Sequence, residues 1–174
     1  MSRVPSVLSA LSLAWLVFIG LSCGDEACQG NEPTAIFQPD IPGVLSHSFL
    51  INKGGDALET LKLSDGFSLE LWQSNCRSTE QEFRFALPLS EKINPQKISS
   101  DQVIELAAAQ FHRLSLLGPA YRAFDAWAQT ISAHKESFQP GRPLEVQPGI
   151  TITIDGIPSS EKFTILVRLE QQKN

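Results

Sequence analysis

The chain has 174 residues, enough for one domain once an export segment is set aside, and its hydrophobic fraction of 42% can supply a core. Residues 1–22 hold one charged side chain, Arg3, so the remainder carries 13 basic against 19 acidic residues, a net of −6. That mild acidity, with no clustered Lys and Arg, argues against nucleic acid as a partner and against a domain lying flat on an anionic bilayer.

Arg3 and the amino terminus form a short positive region, followed by an apolar stretch from Val7 to Leu21 interrupted only by Ser9, Ser12 and Gly20. Its length fits the central region of a secretory signal and falls short of the roughly 20 residues of a bilayer span. Residues 1–22 are therefore expected to be a signal peptide, and Gly20-Leu21-Ser22-Cys23 ends it.

That ending resembles the lipobox of bacterial lipoproteins. Ser22 matches the small residue before the modified Cys; Leu21 and Gly20 exchange the family's usual order of a small residue preceded by Leu. The resemblance implies that Cys23 receives a diacylglycerol, becomes the new amino terminus and is then acylated by a fatty acid such as palmitate. Gly24, where an inner-membrane protein has Asp, implies transfer to the outer membrane with the domain facing the periplasm; Asp25 comes one place later. Ordinary cleavage with release, and an uncleaved amino-terminal anchor, are the competing outcomes.

Three cysteines are present, Cys23, Cys28 and Cys76, and an odd number in an exported chain leaves one thiol to explain. Lipidation of Cys23 would leave Cys28 and Cys76 to pair in an oxidising compartment. Their bridge would close a loop of 49 residues, a constraint on the unfolded chain of roughly 4 kcal/mol. A metal site is disfavoured by the scattered ligands. A thiolate nucleophile would need His47 or His112 beside it in space, which spacing alone does not decide.

Residues 23–45 read as a tether and an arm leading into the fold, broken by Gly30, Pro33, Pro39, Pro42 and Gly43. From 46 to 174 the chain reads as a single domain. Phe49 and Ile51, Leu61 and Leu63, then Phe67, Leu69 and Leu71 alternate as half-buried strands do. A two-residue turn at Asp65-Gly66 would set Leu63 opposite Ser68 and mix the faces. A three-residue loop sets Leu61 opposite Leu69 and gives Gly66 the left-handed position. Phe83, Phe85, Leu87 and Leu89 make a further strand, with Pro88 near its end.

Ser99 and Gln102 have capping-box spacing and open a helix whose apolar stripe runs Val103, Leu106, Ala107, Phe111, Leu114 and Leu117. Gly118-Pro119 ends it and begins a second helix with Phe124, Trp127, Ala128 and Ile131 on one side. Alternation returns in Ile150, Ile152 and Ile154 and in Phe163, Ile165, Val167 and Leu169, around a turn at 156–160. The expected fold is α+β: an antiparallel sheet of about five or six strands, with a two-helix layer inserted between the amino-terminal strands and a carboxy-terminal hairpin.

No residues are assigned to catalysis or to a metal, and no cofactor is expected. His47, His112 and His134 lack ligand spacing, and neither a nucleophile elbow nor a phosphate loop is present. Glu70, Glu80 and Glu82 could gather carboxylates on a sheet surface, which keeps a hydrolase acting on peptidoglycan or another glycan open. Trp72 follows Leu71 and must point away from the face of Leu69 and Leu71, a candidate binding anchor unless the strand ends there or the arm covers it. Arg122 and Asp125 are spaced to pair on a helix surface. The leading functional expectation is a non-enzymatic binding or accessory module held at the membrane by its lipid and engaging an envelope protein. A purely structural lipoprotein of a larger complex is the third possibility. The oligomeric state is not fixed by the sequence.

Overall fold

A computed structural model describes residues 32–74, 78–90, 93 and 97–172. Seven strands form one antiparallel sheet: β1 (Val44–Ile51), β2 (Ala57–Leu63), β3 (Ser68–Ser74), β4 (Ser78–Pro88), β5 (Pro143–Gln147), β6 (Ile150–Pro158) and β7 (Lys162–Gln172). Two helices, α1 (Ser100–Ser115) and α2 (Phe124–Ala133), lie between β4 and β5 in the chain. The spatial order is β1-β2-β3-β4-β7-β6-β5. Two meanders of neighbouring strands thus meet at β4 and β7, which pair along their whole length from Ser78 with Gln172 to Pro88 with Lys162.

Local chemistry accounts for the elements. Leu61 stands opposite Leu69, the Leu63 N–H donates to the Phe67 carbonyl at 2.9 Å, and Gly66 takes φ +85° in the three-residue loop between them. Ser99 caps α1: its hydroxyl accepts from the Gln102 N–H while the Gln102 side chain accepts from the Ser99 N–H. Gly118-Pro119 ends α1 in a 3₁₀ turn, Pro119–Tyr121, before α2 begins at Phe124.

Both helices cover one face of the sheet. Phe111, Leu114 and Ile131 are wholly buried there against Phe83, Phe85, Ile165 and Val167. The centre is aromatic, with the Phe111 ring edge-on to Phe83 at 5.0 Å and to Phe85 at 5.5 Å. Gly156 sits within β6 because Phe163 lies over it; a Cβ there would meet the ring at 2.5 Å.

The sheet has one strand more than the upper expectation. β5 is five residues long, starts at a proline and alternates with only two apolar side chains, Leu144 and Val146, too short a pattern to separate from a loop. The carboxy-terminal hairpin is also longer than its turn signals imply. β6 runs through Gly156-Ile157-Pro158 and the turn is confined to 159–161, because the Ser159 hydroxyl and N–H close it on the Lys162 backbone.

Candidate binding face

The face of the sheet away from the helices is left uncovered by the described residues. One row across it runs Leu50, Leu58, Trp72, Glu82 and Arg168 on β1, β2, β3, β4 and β7, each the register partner of the next. Trp72 is half-buried, the strand continues two residues past it, and the described part of the arm lies on the opposite face. Leu58 and Leu50, 41% and 65% exposed, extend the apolar row to the sheet edge.

Beside Trp72 the surface is charged and tightly knitted. Glu82 is only 4% exposed although it lies on the open face. One of its oxygens accepts from Arg84 at 2.6 Å and the other from Arg168 at 2.6 Å. Arg168 also reaches Glu80 at 2.9 Å. Burial works against ionisation of Glu82, but the hydrogen bonds from Arg168 and Arg84 outweigh it and hold the carboxyl below its ordinary value. Burial pushes Glu80 the other way, raising it, because one arginine shared with Glu82 compensates only in part and Glu170 and Glu82 add like charge. A shallow concavity of about 280 Å³ adjoins Arg84, floored by Ser68, Ala86 and Thr164 and flanked by Glu70 and Lys162.

On the helical side, Glu59 is a buried carboxylate in phase with Ala57, Leu61 and Leu63 on β2. It accepts from the backbone N–H groups of Ile36 and Phe37, both at 2.9 Å, and contacts His47 Nε2 at 2.8 Å. Phe37, 1% exposed, stacks on Tyr121 and Phe124, and the Gln38 N–H donates to the Tyr121 hydroxyl at 3.1 Å. Gln73 adds a bond to the Thr34 carbonyl at 3.2 Å. The arm is thereby clamped between β2 and β3 on one side and Tyr121 and Phe124 on the other. The alternation of β2 contained the signal for this clamp: a carboxylate falling on the apolar side of a strand must find donors.

The remaining candidates separate. Cys23, Cys28 and Cys76 lie outside the described residues. His47 belongs to the Glu59 clamp, and His134 Nδ1 bonds the Thr130 carbonyl within its own helix at 3.0 Å. Asp125 pairs with His112 across the helices at 2.8 Å and with Gln129 at 2.8 Å rather than with Arg122, at the mouth of an open groove of about 380 Å³ between α1 and α2. Glu80 and Glu82 do come together, but around an arginine. Both Glu82 oxygens are engaged by arginine, one by Arg84 and the other by Arg168. Among the described residues no group of three or more His, Cys, Asp or Glu is placed to hold a metal, and no helix is long and apolar enough to cross a membrane. Comparison with protein-family models, with curated proteins and with solved structures returned no match.

Proposed function

We propose that the chain is an exported envelope lipoprotein, anchored through Cys23 in the outer membrane and facing the periplasm, that acts as a non-enzymatic binding module and receives an envelope protein on the open face of its sheet. The observation that carries this reading is the row Leu50, Leu58 and Trp72, an apolar strip beside an ion-paired cluster on the face that the described residues leave uncovered. An aromatic side chain with an apolar strip on one side and paired charges on the other resembles an interface centre meeting its polar rim.

The clamp on the arm supports the tethering half of the proposal. Glu32, where the described chain starts, is nine positions after Cys23. Fully extended, that spacer reaches about 30 Å, so the sheet would be held close to the lipid surface. The bond between Gln73 and Thr34 joins a point three residues before Cys76 to a point six residues after Cys28. Their proximity supports pairing of those two cysteines.

The test is quantitative capture from detergent-solubilised envelopes with wild-type protein, Trp72→Ala and Leu116→Ala. Leu116 is 70% exposed at the end of α1 and serves as a control on the helical layer. Trp72→Ala should reduce recovery of the captured partner at least about tenfold, as loss of an interface anchor does, with thermal stability nearly unchanged. Equal recovery by wild type and Trp72→Ala would remove the open face from the proposal.

A further inference from the structure

The two edges of the sheet are guarded very differently. β5, at one edge, is five residues long, begins with Pro143, carries Glu145 and has an irregularity between Glu145 and Gln147. These are devices that stop a sheet from adding strands. β1, at the other edge, has eight residues, Val-Leu-Ser-His-Ser-Phe-Leu-Ile, with no Lys, Arg, Asp, Glu or Pro. Its single irregularity lies between Val44 and Ser46, leaving Ser46–Ile51 in regular register with β2. Leu45, Leu50 and Ile51 are 71%, 65% and 41% exposed along it. The only titratable side chain of the strand, His47, is turned inward to Glu59.

We propose that β1 is a homodimerisation edge, pairing antiparallel with β1 of a second copy so that two seven-stranded sheets become one. The backbone permits this. The Asn52 N–H donates to the Asp56 carbonyl on the β2 side. By the alternation of an antiparallel ladder, Ser48 and Leu50 then also bond inward, while the N–H and C=O groups of His47, Phe49 and Ile51 face outward, where no strand among the described residues pairs with them. A two-fold axis through Ser48 matches the central outward groups to one another, His47 of each copy with Phe49 of the other.

The occupant follows from charge. Across a two-fold axis each side chain near the centre meets its own image or a close neighbour of it, so any ionised residue there would face like charge. β1 carries no Lys, Arg, Asp or Glu, and its one histidine is turned inward to Glu59 rather than toward the axis. The same register carries the exposed Ile51 of each copy against the other strand and sets Leu50 opposite Ser46 of the other copy, two residues from the axis. The resulting interface is small, a strand pair with a few apolar contacts, so the isolated protein should dimerise at about micromolar concentration or above. Confinement to a surface by a lipid raises the effective concentration well beyond that. The proposal stands whether or not the open face binds a partner.

Sedimentation of the mature chain in mild detergent, with thiols blocked, tests it. Wild type should pass from monomer to dimer with rising concentration. Ser48→Lys and Ser48→Glu should each weaken dimerisation at least about tenfold, since like charges meet at the axis. An equimolar mixture of the two variants should dimerise again, which also shows that both are folded. A wild type that stays monomeric to about 0.5 mM, far above the concentration expected of such an interface, would overturn the proposal. So would variants that each dimerise like wild type, or a mixture that fails to recover while circular dichroism shows both folded. A strand captured from another protein in place of the second copy would appear as a mixed complex, and would equally overturn it.

Discussion

Removing the Glu59 carboxylate is the sharpest perturbation of the fold. Glu59→Ala takes the acceptor from the buried backbone N–H of Phe37, from the half-buried N–H of Ile36 and from His47. A buried donor left without a partner costs about 1–3 kcal/mol, so the Phe37 amide accounts for about that much and the half-buried Ile36 amide adds a smaller amount. The arm can escape this by leaving the sheet and rehydrating, but it then gives up burial of Phe37 and Ile41, at about 1.5–3 kcal/mol each. Both routes cost the same order, so the expected loss is about 2–5 kcal/mol, a large share of the stability of an ordinary domain. Glu59→Gln keeps the shape and one oxygen, and should cost about 1–3 kcal/mol because its amide group turns a donor toward a donor. Urea unfolding monitored by tryptophan fluorescence gives the free energies, and limited proteolysis near Pro39 and Pro42 reports release of the arm. A Glu59→Ala protein within about 0.5 kcal/mol of wild type, with the arm equally protected, would refute the clamp.

Three further outcomes are expected. Phe111→Ala, at the wholly buried centre of the aromatic cluster, should cost about 3–5 kcal/mol in the same assay, and a loss below about 1 kcal/mol would mean that α1 does not seal the core. Stability should depend on pH with opposite signs at two neighbouring carboxylates. Glu82 is held below its ordinary 4.5, so its contribution is full above that pH and is lost as pH falls through its lowered folded value; Glu80 is raised above 4.5, so its contribution is present below that pH and is lost as pH rises through its folded value. Glu82→Gln should therefore flatten the acid limb of the stability curve and Glu80→Gln the limb above it, whereas curves parallel to wild type would contradict the arginine network. Reduction of a Cys28–Cys76 bond should lower stability by roughly 2–4 kcal/mol, and free thiols on both residues in protein taken from envelopes would show that no such bond forms.

Much of the architecture was legible because its signals are local and periodic. The hairpin loop at Gly66, the capping box at Ser99 and the apolar faces of β6 and β7 each follow from spacing within a few residues. What escaped was set by distant contacts. Phe37 and Ile41 sit among breakers and show no periodicity, so nothing in their neighbourhood says that Tyr121 and Phe124 await them some eighty residues on. Glu59 shares the parity of Leu61 and Leu63, but the arm amides that meet it come from residues 22 and 23 positions away. Glu80 and Glu82 read as polar surface before β4 is seen to start at Ser78 and pair with Arg168 on β7. The face of Trp72 was readable from its parity with Leu71; its neighbours Leu58 and Arg168 depend on a register that only the full sheet defines.

Tethering at the membrane is the central claim, and intact mass measured on protein purified from envelopes tests it most directly. The account predicts a chain that begins at Cys23 and carries diacylglycerol and acyl mass there, and a Cys23→Ala protein that loses this mass. A chain beginning at another residue, or one in which Cys23 is a free or disulfide-bonded thiol, would contradict it.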